Sequence, residues 1–125
     1  MKKWLLRFAS YKEPDDIFNC VANGTKTIET RPVNPESKNN YANIKIGDQI
    51  TILSLETGKT IDKTAKFVHV YKSVDEMINN EEPKAIFPTI KTRDELRKVY
   101  DDVKKKWGSE YKRKLETYGI VAIGI

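Results

Sequence analysis

Phe67-Val68-His69-Val70-Tyr71 places a ring at every second position and a valine between each pair of rings. Along a strand, side chains alternate between faces, so the rings share one face and the valines the other. A strand that is apolar on both faces needs packed layers on both sides. The pattern therefore predicts a layered fold, with the middle of a strand over residues 60–71 buried on both faces. His69 then reads as a satisfied interior or edge histidine, since no partner for a general base is evident in the sequence.

The rest of the chain supplies the layers. KWLLRF at Lys3–Phe8 reads as a first strand. Pro14, Asp15 and Asp16 signal a helix start. Ile17, Phe18, Val21 and Ala22 form its apolar face, and Asn23-Gly24 its stop. A second strand begins at Thr27. Residues 32–43 are loop chemistry, with two prolines and four asparagines. Gly47-Asp48 marks a bend before a strand over residues 49–55, and Thr57-Gly58-Lys59 a hairpin. Ser73 with Glu76 and Thr92 with Glu95 have capping-box spacing. They predict a helix over residues 74–79 and a longer one carrying Leu96, Val99, Tyr100, Val103 and Trp107 on one stripe, ended by Gly108. Residues 118–125 form an apolar closing strand. The fold class is α+β, with about five mixed strands in a curled sheet and helices outside it.

A chain of 125 residues is one domain, residues 1–125, large enough to bury a core without staples. One cysteine, Cys20, excludes an internal disulfide, and one cysteine with one histidine leave no metal site of the usual ligands. No apolar run approaches a signal-peptide core or a membrane span, so the expectation is a cytoplasmic monomer without cofactor or membrane partner. The net charge is +5. Arg97, Lys98, Lys104, Lys105, Lys106, Lys112, Arg113 and Lys114 fall within one span with three acidic residues, which accounts for all of that excess. Such clustering suits a phosphate-binding surface, or a solvated helix face.

Gly24-Thr25-Lys26-Thr27-Ile28-Glu29-Thr30-Arg31 is the candidate site. On a strand, Thr27, Glu29 and Arg31 share a face, with Lys26 at its mouth. Two cations around a carboxylate can hold a polar ligand or form a structural ion-pair set. Tyr41, the sole aromatic of the long loop, can stack a base or pin the loop to the core. Cys20 beside an apolar face reads as a packed small hydrophobe.

Gly24-x-Lys26-x-x-Glu29-x-Arg31, then Ile46-Gly47-Asp48, Glu82-Pro83, Ile86-Phe87-Pro88 and Tyr118-Gly119, resemble the ASCH domain family (activating-signal-cointegrator homology), related to PUA domains. The match spans most of the chain in the family's order. The resemblance implies a PUA-like pseudo-β-barrel flanked by helices, and an RNA, nucleoside or nucleotide ligand in a cleft lined by the motif. Gly24, Lys26, Thr27, Glu29, Arg31, Tyr41 and Phe87 would line that cleft. Arg97, Lys98, Lys104, Lys105, Lys106, Lys112 and Arg113 would form a nucleic-acid surface. Some relatives remove the acetyl group from N4-acetylcytidine, and at least one is described as a ribonuclease. An enzymatic reading would use Lys26, Glu29 and Glu82. The amidohydrolase pattern K-T-I-T becomes Lys26-Thr27-Ile28-Glu29 here, so Glu29 replaces the nucleophilic threonine.

Overall fold

The computed structural model describes the whole chain, Met1–Ile125. Its strands are β1 (Lys3–Phe8), β2 (Ile28–Pro32), β3 (Gln49–Ser54), β4 (Thr60–Thr64), β5 (Phe67–Tyr71) and β6 (Ile120–Gly124). Its helices are α1 (Asp16–Ala22), α2 (Val74–Asn80), α3 (Pro83–Ile86), α4 (Arg93–Lys106) and α5 (Ser109–Tyr118), with a single 3-10 turn at Tyr41–Asn43. The α+β class holds. The strands number six, in two sheets of three instead of one curled sheet of about five, and no ladder closes them into a barrel.

The first sheet has the order β1-β3-β4, with β1 parallel to β3 and β4 antiparallel to it. The second has the antiparallel order β2-β6-β5. Strict alternation sends Trp4, Leu6 and Phe8 of β1, and Ile50 and Ile52 of β3, inward. They meet Val121 and Ile123 of β6, with Phe18 and Val21 of α1, in a core between the sheets. The other face of β6 presents Ile120 and Ala122 to a second core. There Ile28 meets Met77 and Ile78 of α2, Ile86 of α3, Leu96 and Tyr100 of α4, and Leu115 of α5. The layers run sheet, sheet, helices.

The doubly buried strand is therefore β6, all five of whose residues are buried, and β5 is not. With β6 as its single neighbour, β5 is an edge strand, and Val70 is 55% exposed. The expected strand over residues 60–71 is also broken. Ala65 and Lys66 turn the chain from one sheet to the other, the Ala65 N–H donating to Asp48 O at 2.9 Å and the Lys66 N–H to Gly124 O at 2.8 Å. No glycine or proline marks this corner. Its cause is tertiary, since each half finds a different partner strand.

The passage from α5 into β6 depends on Gly119. Its φ is 93°, and a Cβ there would stand 2.1 Å from the Tyr71 carbonyl oxygen. Only glycine combines that dihedral with so close an approach.

Candidate functional site: a cleft between two sheet edges

The turn after α1 turns Lys26 inward. Gly24 takes a φ of 80°. The Lys26 N–H returns to Cys20 O at 2.9 Å, and the Thr27 N–H reaches Ala85 O at 2.9 Å, tying the start of β2 to α3. Lys26 is 4% exposed. Its Nζ donates to Ile28 O at 2.7 Å and Ile86 O at 2.6 Å, and lies 3.3 Å from Glu29 Oε1. Three acceptors match the three N–H bonds of an ammonium. Glu29 is also buried. Its Oε1 accepts from the Thr30 N–H at 3.1 Å and its Oε2 from Arg31 Nε at 3.0 Å. Arg31 Nη2 bridges to Arg7 O of β1 at 2.8 Å, and the guanidinium lies over the Phe8 and Tyr41 rings at 5.4 and 5.9 Å.

Burial pulls the Lys26 ammonium below its ordinary pKa, and Glu29 opposes that pull. Burial alone would raise the Glu29 carboxyl. Lys26 and Arg31, with the N–H donors of Arg31 and Thr30, outweigh it and hold the group below the usual carboxylate range. Lys26, Glu29 and Arg31 thus form one connected set, buried at Lys26 and reaching the surface at Arg31.

Beside this set lies a cleft of about 440 Å³, within the size range of small-molecule sites. It occupies the gap where the edges of the two sheets, β1 and β2, approach without pairing. Arg7, Phe8, Ser10 and Tyr11 line one side, and Lys26, Glu29, Thr30 and Arg31 another. Tyr41 and Asn34 come from the long loop, and Phe87 from the end of α3. Val99, Tyr100, Val103, Lys106 and Trp107 come from α4, and Tyr111 and Lys114 from α5. Tyr11 meets Phe87 edge to face at 5.1 Å. Tyr100 bonds the Thr30 hydroxyl. Burial pushes the Tyr100 hydroxyl upward, and burial first, then Glu29, pushes Tyr111 up to about 12. Both phenols are neutral at physiological pH. The walls are largely aromatic, with charge concentrated at Lys26–Arg31 and along the α4–α5 rim.

The expected ligand residues divide. Lys26, Glu29, Arg31, Tyr41 and Phe87 line this cleft, whereas Gly24 and Thr27 do not. Thr27 is exposed, outside the cleft lining. Tyr41 also pins its loop, its hydroxyl donating to Leu5 O at 3.1 Å. Glu82 is exposed and caps α3 outside the cleft, its carboxylate accepting from the Lys84 N–H at 3.5 Å. Glu81, beside it, is buried and supplies the partner that the sequence did not reveal for His69, at 2.7 Å from Nδ1.

Several members of the basic span are paired with acidic or polar side chains. Arg97 is engaged by Asp75, Asp94 and Asn79 at 2.7–3.2 Å. Arg113 binds Glu36 with two nitrogens, at 2.9 and 3.0 Å, and also Glu110. Lys112 stands 3.9 Å from Glu116. Lys104, Lys105 and Lys112 gather at the α4–α5 junction, while Lys106 and Lys114 line the cleft and Lys98 stays exposed. Arg7, Phe8, Tyr11, Tyr100, Trp107 and Tyr111 are among the cleft residues that site reasoning from sequence missed, while Lys114 was read only as part of the basic cluster. The helical stripe did contain Tyr100 and Trp107, but as core. Tyr100 is buried, and Trp107 is 46% exposed at the cleft.

No protein-family model matches the chain, and a search of curated proteins finds no match. Two solved structures share its architecture. The crystal structure of the hypothetical protein PH0355 aligns with a TM-score of 0.72 at 27% identity, covering 98% of this chain and 95% of that one. The solution structure of PF0455 from Pyrococcus furiosus aligns with a TM-score of 0.63 at 26% identity, covering 98% and 94%.

Proposed function

We propose that the protein binds RNA or a nucleoside-like ligand, and that its two sheets are an open variant of the PUA-like pseudo-barrel expected of an ASCH domain. The observation that carries the reading is the cleft, where aromatic walls meet a fixed set of charged donors and acceptors. A flat heterocycle finds stacking surfaces at Phe87, Tyr11, Tyr111 and Trp107. Arg31 offers planar donors to a carbonyl or phosphate. Glu29, held by Lys26, Arg31 and the Thr30 N–H, fixes the guanidinium in place for that contact. An extruded or single-stranded base fits such a cleft better than a duplex does.

Trp107 provides the assay. Nucleosides and short single-stranded RNA are titrated while tryptophan emission is followed, with calorimetry as a second readout. Saturable binding is expected, and Phe87→Ala should weaken it by about 1–3 kcal/mol. No saturable response from any of the four nucleosides or from RNA defeats the reading.

Hydrolysis has less behind it. All three donors of Lys26 are engaged, both Glu29 oxygens accept bonds, and Glu82 lies outside the cleft. No turnover of N4-acetylcytidine above background is expected from the wild-type protein, and turnover that Lys26→Ala abolishes would restore the enzymatic alternative.

A further inference from the structure

The charge balance of the cleft is lopsided. Five cationic residues line it, Arg7, Lys26, Arg31, Lys106 and Lys114, against one acidic residue, Glu29. Glu29 is already matched by Lys26 and Arg31. The remaining cations face a cleft with no anion of its own.

Lys114 is the least committed of them. It is half-buried, lines the cleft, and makes no hydrogen bond or ion pair. The carboxylates close enough to act on it are Glu36 and Glu110, and the Arg113 guanidinium already occupies both, with the Tyr118 hydroxyl also on Glu36. Lys106, which also lines the cleft, is held by Ser10 O at 3.1 Å and Tyr11 O at 3.0 Å, which leaves one N–H free. Arg31 Nη1 makes no bond, since Nε and Nη2 take Glu29 and Arg7 O.

We infer that the ligand is a nucleoside monophosphate unit. Its base edge would meet Arg31 Nη1 between the aromatic walls, and its phosphate would sit on the cationic lining at Lys114, with Lys106 elsewhere on the same cleft wall. This rests on the nucleoside reading above and adds the anion to it. The cleft volume of about 440 Å³ suits one such unit. The unit can come from a free mononucleotide or from the phosphorylated end of a strand.

The test compares each nucleoside with its 5′-monophosphate, with a short 5′-phosphorylated single strand and its unphosphorylated twin, and with inorganic phosphate. Monophosphates should bind at least about tenfold more tightly than nucleosides, as one charge-assisted contact allows. The difference should shrink as salt rises. Lys114→Gln should remove most of that advantage, whereas Lys59→Gln, on the distant β3–β4 hairpin, should not. Preference for the phosphorylated strand over the free monophosphate assigns the unit to a strand end, and the reverse preference assigns it to a free nucleotide. Nucleosides binding as well as monophosphates overturns the inference and leaves the nucleoside reading intact. Inorganic phosphate binding alone, or no binding at all, overturns both.

Discussion

Glu29 carries the balance of the buried charged set. Its neutral amide analogue would keep the shape and leave the buried Lys26 beside Arg31 without a counter-charge. Removing one partner of a buried set costs about 3–5 kcal/mol, because the other charges stay desolvated. Glu29→Gln should therefore lower unfolding stability by that order in urea titration. A loss under about 1 kcal/mol would put the set with ordinary surface ion pairs.

Asp48 supplies the acid limb of stability. Its buried carboxylate accepts from the Lys2 N–H at 3.0 Å, the Lys45 N–H at 2.9 Å and Trp4 Nε1 at 2.9 Å. These bonds, led by the two backbone donors, lower its pKa to about 2. An unfolded aspartate titrates near ~3.9. The contribution is thus complete above that value and disappears as pH falls toward the folded one. Asp48→Asn should flatten the pH dependence of stability below pH ~4, as followed by circular dichroism.

At the scale of elements, the long loop is the least anchored wall of the cleft. Val33 and Tyr41 anchor its two ends, to Gly119 O and to β1, while its middle is tied by Glu36 to Arg113 and Tyr118 of α5. Arg113→Ala should raise amide exchange over residues 34–40 and leave the unfolding midpoint nearly unchanged, since exposed ion pairs add little to global stability. The α5–β6 elbow behaves differently. Gly119→Ala meets both a positive φ and the Tyr71 carbonyl. It should cost at least about 1–3 kcal/mol in thermal unfolding.

Elements with local causes were legible. Ser73 and Thr92 accept from the Glu76 and Glu95 N–H groups, as the capping signals required, and α2 and α4 follow them. Elements with distant causes were not. The Ala65-Lys66 corner carries no local signal, and the edge position of β5 depends on which strand β6 chooses. The same divide runs through the site. Glu29 and Arg31 converge because a strand alternates, which a sequence displays. Tyr11, Tyr111 and Lys114 reach them from other elements through packing, which it does not.

On the scale of the whole molecule, one strand joins both cores. β6 gives Val121 and Ile123 to the inter-sheet core, and Ile120 and Ala122 to the core under the helices. Ile123→Ala should cost about 2–5 kcal/mol, as for other fully buried aliphatic truncations. Residues 1–118 alone should show no cooperative unfolding transition by calorimetry. A sharp transition in that fragment would mean that one sheet and its helices fold without the shared strand.

The position of that strand along the chain has a consequence for biosynthesis. A ribosome delivers β1, β3 and β4 well before β6, and the second sheet cannot assemble until residues 120–124 have left the exit tunnel. Until then Trp4, Leu6, Ile50 and Ile52 on one side, and Met77, Ile78 and Leu96 on the other, have no common surface to close on. The nascent chain carries two half-built apolar faces until β6 emerges, a window in which holdase chaperones have the most to bind.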